Sequence, residues 1–151
     1  MKMIVCADGS DTSKKAIRRA AWMNELTPEA EITVICVYED TQIPPHYGNI
    51  SRDGVRVEPE GIPLDIDEVY IKQKEKVLKE AVDILREMGT ACSTRLLYGE
   101  AAKTIVTYAQ ENECDLLIIG SKGRSRVEKI VTGSVSGPVV QEAPCDVLVV
   151  K

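Results

Sequence analysis

The residues whose types and spacing could do chemistry lie between Ile118 and Ser134, "IIGSKGRSRVEKIVTGS". Two apolar residues end in Gly120, Gly123 follows three positions on, nine residues intervene, and Gly133-Ser134 closes the run. Lys122, Arg124, Arg126 and Lys129 fall between the glycines. The chemistry such a pattern offers is anion binding. Gly120 is expected to let the chain turn sharply as it leaves a strand. Gly123, with no Cβ, would let a phosphate come close to the backbone. A helix starting near Gly133 and Ser134 would present free N–H groups and the positive end of its dipole. The Ser134 hydroxyl would add a donor, and Lys122 and Arg124 would supply charge. The bland alternative is a tight loop whose cations form a solvated face.

Other phosphate and nucleophile signatures do not fit. A Walker loop needs G-x-x-x-x-G-K-[ST], but Gly123 is followed by Arg124 and Gly133 by Ser134. The dinucleotide fingerprint G-x-G-x-x-G after a first strand is missing, and Ser121 does not sit in G-x-S-x-G. No catalytic residue is assigned, because no base accompanies the glycines. Five cysteines (Cys6, Cys36, Cys92, Cys114, Cys145) form no C-x-x-C, and with His46 as the single histidine a Cys/His zinc site has poor material. They read as small hydrophobes in or beside strands, and no metal site is expected. A redox role would need a depressed pKa.

The elements that must position these residues alternate. "MIVCA", "EITVICVY", "CSTRLLY", "CDLLIIG" and "CDVLVVK" read as strands. Between them lie helical patterns. "DTSKKAIRRAAWMNEL" carries Ala16, Ile17, Ala20, Ala21 and Met23 on one side, with Ser10 or Asp11 to cap it. "EVYIKQKEKVLKEAVDILREMG" has the stripe Val77, Leu78, Ala81, Val82, Leu85 and Met88, with Gly89 suited to the C′ position. "AAKTIVTYAQEN" turns Ala102, Ile105, Val106 and Ala109 inward, and "SVSGPVVQEA" is the fourth helix. Strict βα alternation predicts a parallel sheet with helices on both faces. Apolar runs such as "LLII" fit strands covered on both sides. From Glu39 to about Asp67 the pattern breaks. Four of seven prolines and three glycines fall there, so the segment reads as a long loop, either a surface excursion or a flap over a ligand site. His46 lies in it. No repeat or interdomain linker is evident, so residues 1–151 read as one domain.

The formal net charge of −5 argues against general affinity for nucleic acid or anionic membrane. No apolar run approaches the ~20 residues of a membrane span, and the N-terminus lacks a signal-peptide pattern. A cytoplasmic protein is expected.

The pattern Gly120-x-x-Gly123, nine residues, Gly133-Ser134 resembles the nucleotide-binding signature of the universal stress protein family. The resemblance extends to "IVCADGSDTSKKAIRRA" with its Asp8-Gly9-Ser10, to "YGEAAKTIVTYAQENECDLLIIGSKGRS", and to "GSVSGPVVQEAPCDVLVVK". It implies an open five-stranded parallel sheet of strand order 3-2-1-4-5, Rossmann-like and akin to the adenine nucleotide alpha hydrolases. It implies a site that binds ATP with Mg²⁺. Asp8 would contact the nucleoside, with Ala7 beside it. Val37 would offer backbone groups to adenine. Gly120, Ser121, Gly123, Arg124 and Ser125 would line ribose and phosphates, and Gly133, Ser134 and Val135 would close over the phosphate tail. It also implies a homodimer through the last strand, an edge that invites pairing. One departure is Gly137-Pro138, early in the last helix, which implies a helix beginning later than Ser134 and a weaker dipole there.

Three functions compete. One is a stress-response module whose ATP occupancy alters a partner's response, with slow ATP hydrolysis at most. The second is an interaction protein that binds no nucleotide. The third is an adenylating enzyme of related fold, whose S-G-G-x-D-S loop "ADGSDTS" matches poorly.

Overall fold

The computed structural model describes residues 1–38, 64–121 and 133–151, with the backbone alone for 64–70. His46, most of the long loop, and Gly123, Arg124 and Ser125 lie outside the described residues. Among the described residues nine elements alternate: β1 (Lys2–Cys6), α1 (Asp11–Leu26), β2 (Glu31–Tyr38), α2 (Leu64–Glu87), β3 (Ser93–Tyr98), α3 (Ala101–Glu111), β4 (Leu116–Gly120), α4 (Ser136–Glu142) and β5 (Asp146–Val150). All strand pairs are parallel and their order is β3-β2-β1-β4-β5.

The side-chain period of two sorts the central strands into two cores. Met3, Val5 and Ala7 face one way with Ile32, Val34, Cys36 and Ile118, under α1 and α2. Ile4 and Cys6 face the other way with Ile35, Leu117 and Ile119, under α3 and α4. With no Phe in the chain, aliphatic side chains fill both layers. Ala16, Ala20 and Ala21 are fully buried and let α1 lie close against the sheet.

The helix ends follow local chemistry. Ser10 caps α1, its Oγ accepting the Ser13 N–H at 3.2 Å. Gly89 ends α2 with φ +72°. The Thr90 N–H reaches the Leu85 carbonyl and the Gly89 N–H reaches that of Arg86, both at 2.9 Å. That turn lifts Met88 away from the apolar stripe, and Met88 is exposed. One boundary differs from the sequence reading, and one falls where Gly137-Pro138 implied. The backbone of α2 begins at Leu64, inside the segment expected to be loop. Helix α4 begins at Ser136 and is seven residues long. Pro138 is its third residue, where the missing N–H has no intrahelical acceptor to lose.

Candidate functional site

In an open parallel sheet the ligand crevice lies beyond the carboxyl ends of the strands, where strand order reverses. Here the reversal is between β1 and β4. A cleft of about 580 Å³, measured to its open mouth, occupies that place. Of the residues expected to form a site, Ala7, Asp8, Val37, Gly120, Gly133, Ser134 and Val135 line it.

The β1 end holds Asp8 in a fixed pose. Its Oδ1 accepts the Ser10 N–H at 2.8 Å, and Gly9 makes the tight turn with φ +81°. The Asp8 N–H donates to Ser13 Oγ at 3.5 Å, while that hydroxyl donates to the Ser10 carbonyl at 3.0 Å. One carboxylate oxygen is therefore committed to the turn. Among the described residues the other takes no hydrogen bond.

Gly120 has a role other than a sharp turn. It ends β4, pairs with Val150, and is not in the left-handed region. A Cβ built on it would stand 2.7 Å from Thr12 Oγ1 and 2.9 Å from both Ser13 N and the Thr12 carbonyl carbon. The glycine is needed because the first turn of α1 lies directly on the β4 backbone. That contact brings the Asp8-Gly9-Ser10 turn to the same rim as the β4 end.

Ser121 is buried and does not line the cleft. Its N–H donates to the Val150 carbonyl at 2.7 Å. Its carbonyl accepts the Gly133 N–H at 2.9 Å and the Ser136 hydroxyl at 3.3 Å. Ser136 Oγ in turn accepts the Gly133 N–H at 3.0 Å. The Gly133 amide is thus committed within the protein and is not free for a phosphate. Among the described residues, no acceptor meets the amides of Ser134 and Val135. A helix of seven residues adds little dipole, so any anion contact on this side falls to those two amides and the exposed Ser134 hydroxyl.

The other walls are apolar: Cys6, Ile35, Ile119, and Ala101 and Ile105 from α3. Burial pushes the Cys6 thiol far above its ordinary range, and the nearby Cys114, Asp8 and Cys36 push it further. It is a neutral wall rather than a nucleophile. Sequence reasoning had placed Ile105 in the core and passed over Ala101. Topology carried the signal, since a helix that follows a parallel strand starts at the carboxyl rim and α3 follows β3.

No group of three or more His, Cys, Asp or Glu side chains among the described residues could hold a metal. Among the described residues Asp8 is the one carboxylate in the cleft lining. That donor set fits a cation carried largely by a ligand's own phosphates and waters, as Mg²⁺ commonly is. Among the described residues, no helix is long and apolar enough to cross a membrane.

Comparison with known proteins bears on the fold and the family. Universal stress protein YxiE of Bacillus subtilis is 31% identical over 150 residues, covering 99% of this chain and 98% of that protein. A universal stress protein in complex with cAMP superposes with a TM-score of 0.72 at 26% identity, covering 100% of this chain and 97% of the other. The Archaeoglobus fulgidus universal stress protein in complex with dAMP gives 0.66 at 25% identity, covering 100% and 98%. The universal stress protein family itself matches residues 1–151. The chain belongs to the universal stress protein family.

Proposed function

We propose that the cleft binds an adenine nucleotide, ATP with Mg²⁺ among them, and that the protein is a nucleotide-dependent regulatory module rather than a robust enzyme. The observation that carries this reading is the convergence of Asp8, Val37 and the Gly133–Val135 segment on one cleft at the β1/β4 reversal. The relatives that hold cAMP and dAMP support it. Asp8 would take a nucleoside hydroxyl or amine with its uncommitted oxygen. The apolar wall from Ile35 to Ile105 would cover the base. The phosphates would lie toward Ser134 and Val135, with Gly123, Arg124 and Ser125 as further ligands. Among the described residues no general base stands in the cleft beside Asp8, so at most slow hydrolysis is expected.

Calorimetry of the whole chain with Mg-ATP and, separately, AMP tests this. Saturable binding is expected, and Asp8→Ala should weaken it roughly tenfold or more, the effect of a charge-assisted hydrogen bond. An unfolding curve of the same variant separates this from loss of the Ser10 turn. No heat with either nucleotide at millimolar concentration would favour the interaction protein that binds none.

The reading includes a homodimer through β5. Among the described residues that strand is at the sheet edge and pairs only with β4, and its Val147, Leu148, Val149 and Val150 are half-buried. Light scattering at micromolar concentration should give twice the 16.6 kDa chain mass. A monomer would remove this part.

A further inference from the structure

Two thiols outside the cleft stand together. Cys114 lies two residues before β4, just past the turn that follows α3, and Cys145 immediately precedes β5. Leu116 pairs in register with Asp146, so the chain entries to these strands run side by side. Carried back past the strand starts, that register leaves Cys114 and Cys145 one position apart along the chain, a diagonal of roughly 6 Å for strands about 4.8 Å apart, within the Cα span a disulfide accepts. Cys114 belongs to the apolar cluster under α3 and α4, Cys145 packs against that cluster, and the two thiols are near enough to act on each other electrostatically. Cys114 Sγ also lies 3.8 Å from the Lys2 carbonyl.

The two differ in access. Cys114 is buried and Cys145 is half-buried. Burial, then the neighbouring Cys145, pushes the Cys114 thiol up to about 12. Cys114 is therefore a poor first nucleophile, and an oxidant from solvent meets Cys145.

We propose that Cys114 and Cys145 form a peroxide-driven reversible disulfide. In the first step the Cys145 thiolate attacks one oxygen of hydrogen peroxide. The S–O bond forms, the O–O bond breaks, and the departing hydroxide leaves as water with the proton the thiol gave up. In the second step Cys114 sulfur attacks the Cys145 sulfenic acid. The S–S bond forms, the S–O bond breaks, and the Cys114 proton leaves with the hydroxide as water. Two thiols and one peroxide become one disulfide and two waters, the two electrons ending on the peroxide oxygens. The bond would tie the chain just past α3 to the chain just past α4. The opposite ends of these helices line the cleft, at Ala101 and at Ser136. The link thus closes a brace at the amino rim of the sheet, away from the ligand side.

The test uses the full chain, reduced and then treated with stoichiometric hydrogen peroxide. Intact mass should fall by two hydrogens. Non-reducing peptide mapping should join the Cys114 and Cys145 peptides, a dithiol reductant should restore the mass, and Cys145→Ser should abolish the loss. The unfolding midpoint of the oxidised chain should rise. An unchanged mass would overturn the proposal. So would a Cys145 sulfinic acid without a cross-link, a cross-link between two chains, or a bond through Cys6, Cys36 or Cys92.

Discussion

A chain carrying Gly120→Val is expected to lose about 3 kcal/mol of stability, a large share of what a domain of this size holds. The first added carbon already meets the Thr12 and Ser13 backbone at 2.9 Å. Backbone cannot rotate out of the way as a side-chain tip can. To make room, the first turn of α1 must lift from β4, drawing the Ser10 cap and the Asp8 turn with it. A urea unfolding curve measures the loss, and nucleotide affinity should fall in the same chain. Gly89→Ala is the informative contrast. Nothing lies within 4 Å of a Cβ at that position, so its penalty is the left-handed φ of +72° alone, about 1 kcal/mol. If Gly120→Val were no worse than Gly89→Ala, close helix–strand contact would not be what holds the rim together.

The contrast shows why some glycines were legible in the sequence and others were not. Gly89 stands after a complete amphipathic helix, and its role follows from local rules. Gly120 stands after an apolar strand, and local rules suggest a turn. Its real constraint comes from Thr12 and Ser13, more than a hundred positions away in the chain. Only the pairing of β1 with β4 brings them together. Alternation of strands and helices was readable for the same reason as Gly89, since hydrophobic period is a local property. The start of α2 at Leu64 was hidden because the stretch before Glu68 lacks a long apolar stripe and is dense in proline and glycine.

The site divides in the same way. Asp8-Gly9-Ser10 is contiguous, and its turn is a short-range hydrogen bond from the Ser10 N–H to Asp8. The commitment of the Gly133 amide to Ser121 spans twelve positions and depends on where Ser136 places its hydroxyl. Spacing alone cannot say whether an amide in a glycine-rich segment faces a ligand or a carbonyl of its own chain. The Cys114–Cys145 pair was equally hidden. Counting found five cysteines without C-x-x-C, whereas the proximity of this pair comes from two strand entrances that the parallel register sets side by side.

Alkaline pH should destabilise the fold beyond what surface titration does, and Cys6 should carry much of the effect. Its folded pKa lies above the ordinary thiol value of 9.0, from burial first and then from Cys114, Asp8 and Cys36. A raised folded pKa means the associated stability is fully present below about pH 9 and falls as pH climbs above it. In that window the unfolded chain has released the proton and the folded chain has not. Each such thiol then costs about 1.4 kcal/mol per pH unit, so by pH 11 Cys6 alone accounts for about 3 kcal/mol. Cys114 adds in the same direction over a narrower window, since its folded value is about 12. Urea midpoints between pH 8 and 11 measure the slope for the parent and for Cys6→Ala. The variant should be weaker at pH 8, because a buried sulfur is gone from the α3 side of the sheet. Its decline toward pH 11 should nevertheless be shallower. Lysine and tyrosine titrations are common to both chains and cancel in the difference of slopes. Parallel curves would mean that the Cys6 thiolate is tolerated in place, and the wall of the cleft would then have to be wetter than its apolar lining implies.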